Sequence, residues 1–266
     1  MWKWQAEGEA KGVVVLIHSA YEEHQRYAWQ IEKWRRNGFH VYMGDLPGHG
    51  TQASPDSVHR EPFFEYDKTA AELLRLSAGT GLPIILSGHG LGASIAIHAL
   101  SEQRYPVAGA ILTSPWFELQ KAPSKPALAL SGLSKLTGKG KIDHGVDLRH
   151  FTRRKFQDDS SNSPQAIQSL SSPAWWKELQ GYMERAAQMQ LADIPVMLHA
   201  GQRDLITQTA AGRKWLSRQL VNEFHFKEWP FCYHDLLQEP ERDEIFKAML
   251  YFAESAAEAE RMRSSQ

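Results

Sequence analysis

The sequence predicts an α/β protein: a mostly parallel sheet with helices on both faces and a helical insertion near the middle of the chain. Three observations carry this. Aliphatic runs of strand length alternate with amphipathic stretches as far as Ser114-Pro115, which is the βαβα order of a parallel sheet covered on both sides. The alternation stops there and resumes near residue 191. The chain has 266 residues, 42% hydrophobic and 23% charged, enough to bury one sizeable core and carry an insertion.

The elements follow in order. Gly12–His18 reads as a buried strand, Tyr27–Asn37 as an amphipathic helix, and Phe39–Met43 as a second strand. Phe63–Ser77 is helical, Pro83–Ser87 a strand, Leu91–Gln103 a helix of small and aliphatic residues, and Ala108–Thr113 a strand. From about Glu118 to Gln190 the chain is rich in Ser, Lys and Pro, with the weakly periodic ALALSGLSKL and the aromatic AWWKELQGYMERAAQ. These read as a helical cap over the carboxyl edge of the sheet. Pro195–Ala200 and Glu223–Trp229 are strands, Thr209–Leu220 and Arg242–Glu258 helices. Residues 1–117 and 191–266 therefore form the core and 118–190 the cap. There is no internal repeat.

Composition excludes several classes. Thirty basic against thirty-one acidic residues leave a net charge of −1, so the whole chain has no electrostatic bias toward nucleic acid. The amino-terminal MWKWQAEGEAKG lacks an apolar leader core, and the longest aliphatic run, Val13–Ile17, is too short to span a bilayer. A soluble, cytoplasmic protein is the expectation. The single cysteine, Cys232, has no disulfide partner and no neighbouring ligands at zinc-site spacing.

Between the strand PIIL and a small-residue helix stands Gly88-His89-Gly90-Leu91-Gly92. A tight Gly-x-?-x-Gly turn in strand-to-helix context is the outline of a nucleophile elbow, whose central residue should be Ser, Cys or Asp. Here it is Gly90. Downstream, Asp204 follows the strand Pro195–Ala200 and His234 follows the last strand, matching the chain order nucleophile, acid, histidine. His234 is the candidate general base and Asp204 its orienting acid. Asp235, beside the histidine, and Asp193, before the same strand, stay open as alternatives. Ser94, one helical turn beyond Gly90, and Cys232 are the other hydroxyl and thiol in reach, each read more simply as packing.

The first strand ends in LIHSAYEEHQRY, with His18, Ser19, Glu22, His24, Arg26 and Tyr27. With Asp45-Leu46-Pro47-Gly48-His49-Gly50 and the elbow, acid and histidine segments, this resembles the monoacylglycerol lipase and lysophospholipase branch of the serine α/β-hydrolases over nearly the whole chain. The resemblance implies an α/β-hydrolase fold. It implies hydrolysis of a carboxyl ester of a single-chain lipid, no metal and no organic cofactor, an oxyanion hole at the N–H groups of Ala20 and Leu91, and substrate contacts near His18 and Ser19. Three departures stand out: Ser19 in place of Gly, Gly90 in place of the nucleophilic Ser, and Ala93 in place of a second Gly. Loss of a triad nucleophile costs on the order of 10⁶ in kcat, so an inactive or strongly impaired hydrolase is expected, the alternative being a catalytically silent lipid-binding or interaction protein. On this reading Gly90→Ser alone restores activity.

The insertion carries nine Lys/Arg between Lys121 and Lys155 against Asp143 and Asp147 alone. It is expected to form a lid, with peripheral contact to anionic membrane surfaces as the sharper reading. Leu128–Leu136 and Trp175–Met183, including Trp175 and Trp176, are candidates for lining an apolar cavity that ends near Gly90, although adjacent helical positions diverge by about 100°.

Overall fold

The computed structural model describes residues 1–50, 58–121, 140–143, 146, 148–154, 170–221 and 223–265. Its elements run β1 (Trp2–Trp4), β2 (Gly12–Ile17), α1 (Ala28–Arg36), β3 (Phe39–Met43), α2 (Phe63–Ala78), β4 (Ile84–His89), α3 (Leu91–Ser101) and β5 (Gly109–Thr113). Then come the short strands β6 (Ile142–Asp143) and β7 (Leu170–Ser171), α4 (Pro173–Gln188), β8 (Val196–Gly201), α5 (Thr209–Leu216), β9 (Phe224–Trp229) and α6 (Arg242–Ser264). Seven strands form one sheet in the order β1-β3-β2-β4-β5-β8-β9. Every pairing in it is parallel except β1 with β3. The expected parallel sheet is present. The antiparallel edge strand Trp2–Trp4 was not foreseen, because three residues are too short for a periodicity to show.

The reason the strands read as continuous aliphatic runs is visible in the core. Val13, Val15 and Ile17 pack with α2, α3, α4 and α5 on one face, while Val14 and Leu16 pack with α1 and α6 on the other. Successive side chains point to opposite faces, so a strand buried on both sides has no polar positions. The central helix α3 is apolar all round for the same reason: it lies between the sheet and α2 and α4, and nearly all of it is buried.

Two glycines place α3 against the strand ends. A Cβ at Gly92 would overlap the carbonyl oxygens of Ile17 and His18, so only glycine lets the first turn of the helix approach the end of β2. Gly90 joins β4 to α3 with φ 56° and ψ −120°, outside the ordinary helical and extended regions. Observed boundaries differ from the expected ones by a few residues; α6, for instance, continues to Ser264, beyond the expected Glu258.

Within the interval expected to form a cap, the described parts are the β6 and β7 pair and α4. Ser172 caps α4 by accepting a hydrogen bond from Trp175 N–H, with Pro173 in the first turn, and the apolar face of the helix packs on α2 and α3. Leu128–Leu136 and four of the nine basic residues from Lys121 to Lys155 lie outside the described residues. No described helix is long and apolar enough to cross a membrane.

Candidate active site

The carboxyl ends of β2, β4, β5, β8 and β9 bring the candidate residues together. His234 Nδ1 lies 2.8 Å from Asp204 Oδ2, and both side chains are fully buried. Asp204 also accepts from the N–H groups of Ile206 and Thr207 and from the Thr207 hydroxyl. Burial pushes this carboxyl up, but the His234 ring and the Thr207 donors outweigh it and hold it below the ordinary carboxylate value. An ionised Asp204 fixes the proton on His234 Nδ1 and leaves Nε2 as an acceptor, the tautomer a general base requires.

Of the three acids left open, Asp204 is the one the structure sets against the His234 ring. Asp235 turns away and bonds Arg26 at 2.8 Å, and exposed Asp193 precedes β8, at the end of the strand opposite His234. Of the other nucleophile candidates, the Ser94 hydroxyl donates to Trp116 O at 2.8 Å and the buried Cys232 thiol is pushed by burial and two neighbouring glutamates up to about 12. Neither carries reactive character.

The conformation at Gly90 is that of an elbow, yet the space a side chain would enter is filled. A Cβ at Gly90 would overlap Ser19 Oγ, stand 2.8 Å from Ser19 Cβ and 3.1 Å from Trp116 Nε1. The two departures at 19 and 90 are therefore one spatial exchange. This corrects the expectation for Gly90→Ser alone, since the new side chain would collide with Ser19. The Ser19 hydroxyl accepts from Leu91 N–H at 3.1 Å, so one expected oxyanion donor is engaged by it. Ala20, the other, is fully buried.

The loop that carries Ser19 is clamped at both of its backbone groups. Glu22 Oε2 accepts Ser19 N–H at 3.0 Å and also the Tyr27 hydroxyl at 2.7 Å. His18 Nε2 accepts Leu46 N–H at 2.8 Å, which puts the His18 proton on Nδ1, where it donates to Ser19 O at 2.7 Å. Burial lowers the His18 pKa and keeps this ring neutral. His18, expected near substrate, is thus fully buried and spends both nitrogens on backbone. Two residues on, Tyr21 has φ 67°, a conformation bulky residues rarely adopt and one that costs of order 1–3 kcal/mol.

Trp116 is the site residue that sequence reasoning missed. Its indole Nε1 donates to His234 Nε2 at 3.2 Å, capping the atom that would act as base. The only signal was position, immediately after the point where strand and helix alternation stops. Tyr21 sits between Trp116 (ring centroids 6.1 Å) and Trp175 (6.4 Å), so Trp175 joins an aromatic wall that reaches the site. Trp175 Nε1 donates to Tyr66 OH, and Trp176 is buried on the next position around the helix. A shallow pocket beside Trp116 is lined by Leu119, Lys121, Val146, His150, Leu205 and Ile206.

Among the described residues, two groups of side chains have ligand atoms close enough for a metal ion, and in both an arginine already supplies the positive charge. Arg26 lies against Asp235 and Glu22 in the Glu22, His89 and Asp235 cluster. Arg153 bonds Glu239 and Glu241 in the cluster with Cys232.

Comparison with known proteins shows the family and the fold. The chain is 34% identical to Phospholipase YtpA of Bacillus subtilis over 96% of its length and 99% of that protein. It is 24% identical to the Monoacylglycerol lipase of Mycolicibacterium smegmatis, over 90% of this chain and 86% of that one. The crystal structure of Paleococcus ferrophilus monoacylglycerol lipase superposes with a TM-score of 0.78 at 24% identity, covering 96% of this chain and 98% of its own, which establishes the α/β-hydrolase fold. The family profile described as serine aminopeptidase, S33 matches residues 8–241, most of the chain, and the chain therefore belongs to that family of hydrolases.

Proposed function

We propose that the protein hydrolyses carboxyl esters of single-chain lipids, such as a monoacylglycerol or a lysophospholipid, with His234 as base, Asp204 as its orienter and the N–H groups of Ala20 and Leu91 facing the developing oxyanion. The observation that carries this reading is the Asp204 and His234 pair, both side chains fully buried, with Nδ1 2.8 Å from Oδ2 and Nε2 met by the Trp116 indole N–H. A buried ionised carboxylate is costly to maintain and a poor source of stability, so the presence of Asp204 against the His234 ring favours chemistry. The aromatic wall from Trp116 through Tyr21 to Trp175 suits an acyl chain, with Trp176 as a further lining candidate. The name of the Bacillus relative and that of the mycobacterial one support the lipid class. No metal or organic cofactor is needed for this route.

In this proposal residues 118–190 form a cap over the core of 1–117 and 191–266. The basic stretch Lys121 to Lys155 brings the protein to anionic membrane surfaces, in a cytoplasmic setting. Sedimentation with anionic vesicles should weaken steeply as salt rises, since exposed charges are screened within about 8 Å at physiological ionic strength. Salt-indifferent binding argues for a plain lid.

A second reading, a silent lipid-binding protein, is favoured by one observation: Leu91 N–H is satisfied by Ser19 and His234 Nε2 by Trp116, so the machinery is closed on itself. Turnover of monoacylglycerol, lysophospholipid and p-nitrophenyl esters by the wild-type chain and by His234→Ala separates the two. Activity that His234→Ala abolishes supports hydrolysis; lipid binding without turnover in either chain supports the silent protein.

A further inference from the structure

We propose that Ser19 is the nucleophile of this enzyme, its hydroxyl occupying the space that an elbow residue would fill at position 90. The inference rests on the hydrolytic reading above and names the group that reading lacks.

Three independent features converge on this hydroxyl. Its oxygen lies where the side chain of an elbow residue would start, and 3.1 Å from Leu91 N–H, a group expected to meet the oxyanion. Among the described residues its own proton is committed to no acceptor, whereas Ser94 spends its hydroxyl on Trp116 O and Ser114 spends its on His234 O. Its backbone is held on both sides, N–H by Glu22 and C=O by His18, and the loop is strained at Tyr21. A residue placed only to fill volume needs no such clamp, and a strained, over-determined loop is characteristic of functional sites. Trp116 Nε1 stands 3.1 Å from the Cβ position at Gly90, a position that Ser19 Oγ overlaps, and 3.2 Å from His234 Nε2, so the indole N–H links the space at the elbow to the imidazole.

The chemistry closes on these groups. An arriving ester displaces the indole N–H, and His234 Nε2 turns to the Ser19 proton. Ser19 Oγ bonds to the carbonyl carbon as its proton passes to Nε2, and the carbonyl π pair moves onto oxygen. The oxyanion meets Leu91 N–H, released as Ser19 Oγ becomes an ester oxygen, and Ala20 N–H, which follows the nucleophile in the chain just as Leu91 follows position 90. Collapse breaks the bond to the leaving alcohol, which takes the proton from His234. Water then attacks the acyl group on Ser19 with His234 as base, releasing the fatty acid and returning the proton to Oγ.

The test is site-resolved labelling beside turnover. Incubation with a fluorophosphonate probe should add one adduct by intact mass, and peptide mapping should place it on Ser19. Ser19→Ala should lose the adduct and about a thousandfold or more of p-nitrophenyl ester turnover, as should His234→Ala. Ser19→Cys should keep a burst of acylation and slow the second step, a result that a folding defect would not produce. Turnover that depends on His234 but survives Ser19→Ala overturns the nucleophile and leaves the hydrolytic reading standing, with water activated directly by His234. An unlabelled, inert wild-type chain that still binds lysophospholipid overturns both.

Discussion

Ser19 and Gly90 occupy each other's space: the hydroxyl on one stands where the side chain of the other would begin. Restoring a serine at the elbow therefore requires removing the one on the oxyanion loop. Gly90→Ser alone should lose stability, by about 1–3 kcal/mol for the overpacked contact and a comparable amount for a non-glycine residue at φ 56°, and should gain no turnover. Ser19→Gly with Gly90→Ser should fold better than the single variant and accept a fluorophosphonate at position 90. Urea midpoints and peptide mapping read both, and a single variant as stable as the parent denies the exchange.

The Trp116 indole competes for His234 Nε2, so Trp116→Phe should raise the rate of probe labelling by about two- to tenfold, the usual net worth of one hydrogen bond. The ring keeps its packing volume. A fall in rate to near zero would mean that the indole N–H assists the reaction and does not gate it.

Asp204→Asn should depress any His234-dependent turnover by about 10⁴, because an amide at Oδ2 no longer selects the Nδ1–H tautomer. Stability should fall with it, since Ile206 N–H, Thr207 N–H and the Thr207 hydroxyl all donate to this carboxylate. Hydrolysis at the parental rate would remove Asp204 from the site.

Acid should weaken the fold through buried histidines. Burial lowers His98 and His199 each to about 4, against about 6.5 in an unfolded chain. Between those values the unfolded chain binds more protons, so the stability these rings contribute is fully present above pH 6.5 and is lost as pH falls toward 4. By pH 5 each costs about 2 kcal/mol. Urea midpoints at pH 7 and pH 5 should differ clearly, and less in a chain carrying His98→Gln and His199→Gln. An unchanged difference in that double variant places the acid sensitivity elsewhere.

Arg26 neutralises two buried carboxylates, Glu22 and Asp235, and Glu22 in turn holds Ser19 N–H. Arg26→Met should cost about 3–5 kcal/mol, the penalty for stranding buried charge, and should reduce Ser19 labelling in the fraction that still folds. Full labelling at parental stability would separate the loop from this network.

Much of this protein is determined locally, and that part is legible in the chain itself. Strands such as Val13–Ile17 and helices such as Leu91–Ser101 declare themselves because burial on both sheet faces leaves an unbroken apolar run, and burial on nearly all sides of a helix leaves mostly small and aliphatic residues. The order of Gly90, Asp204 and His234 follows from a strand-to-helix turn and two strand ends, each readable within a few residues. The edge strand Trp2–Trp4 carried too few residues to signal, and its pairing with Val41–Met43 depends on a partner nearly forty positions away. Which acid meets His234, the indole on its other nitrogen, and above all the meeting of Ser19 with Gly90 were decided by tertiary structure. Residues separated by 71 positions and carried by adjacent strands β2 and β4 share one volume only once the sheet has formed, and sequence, which records each substitution alone, does not state that the two exclude one another.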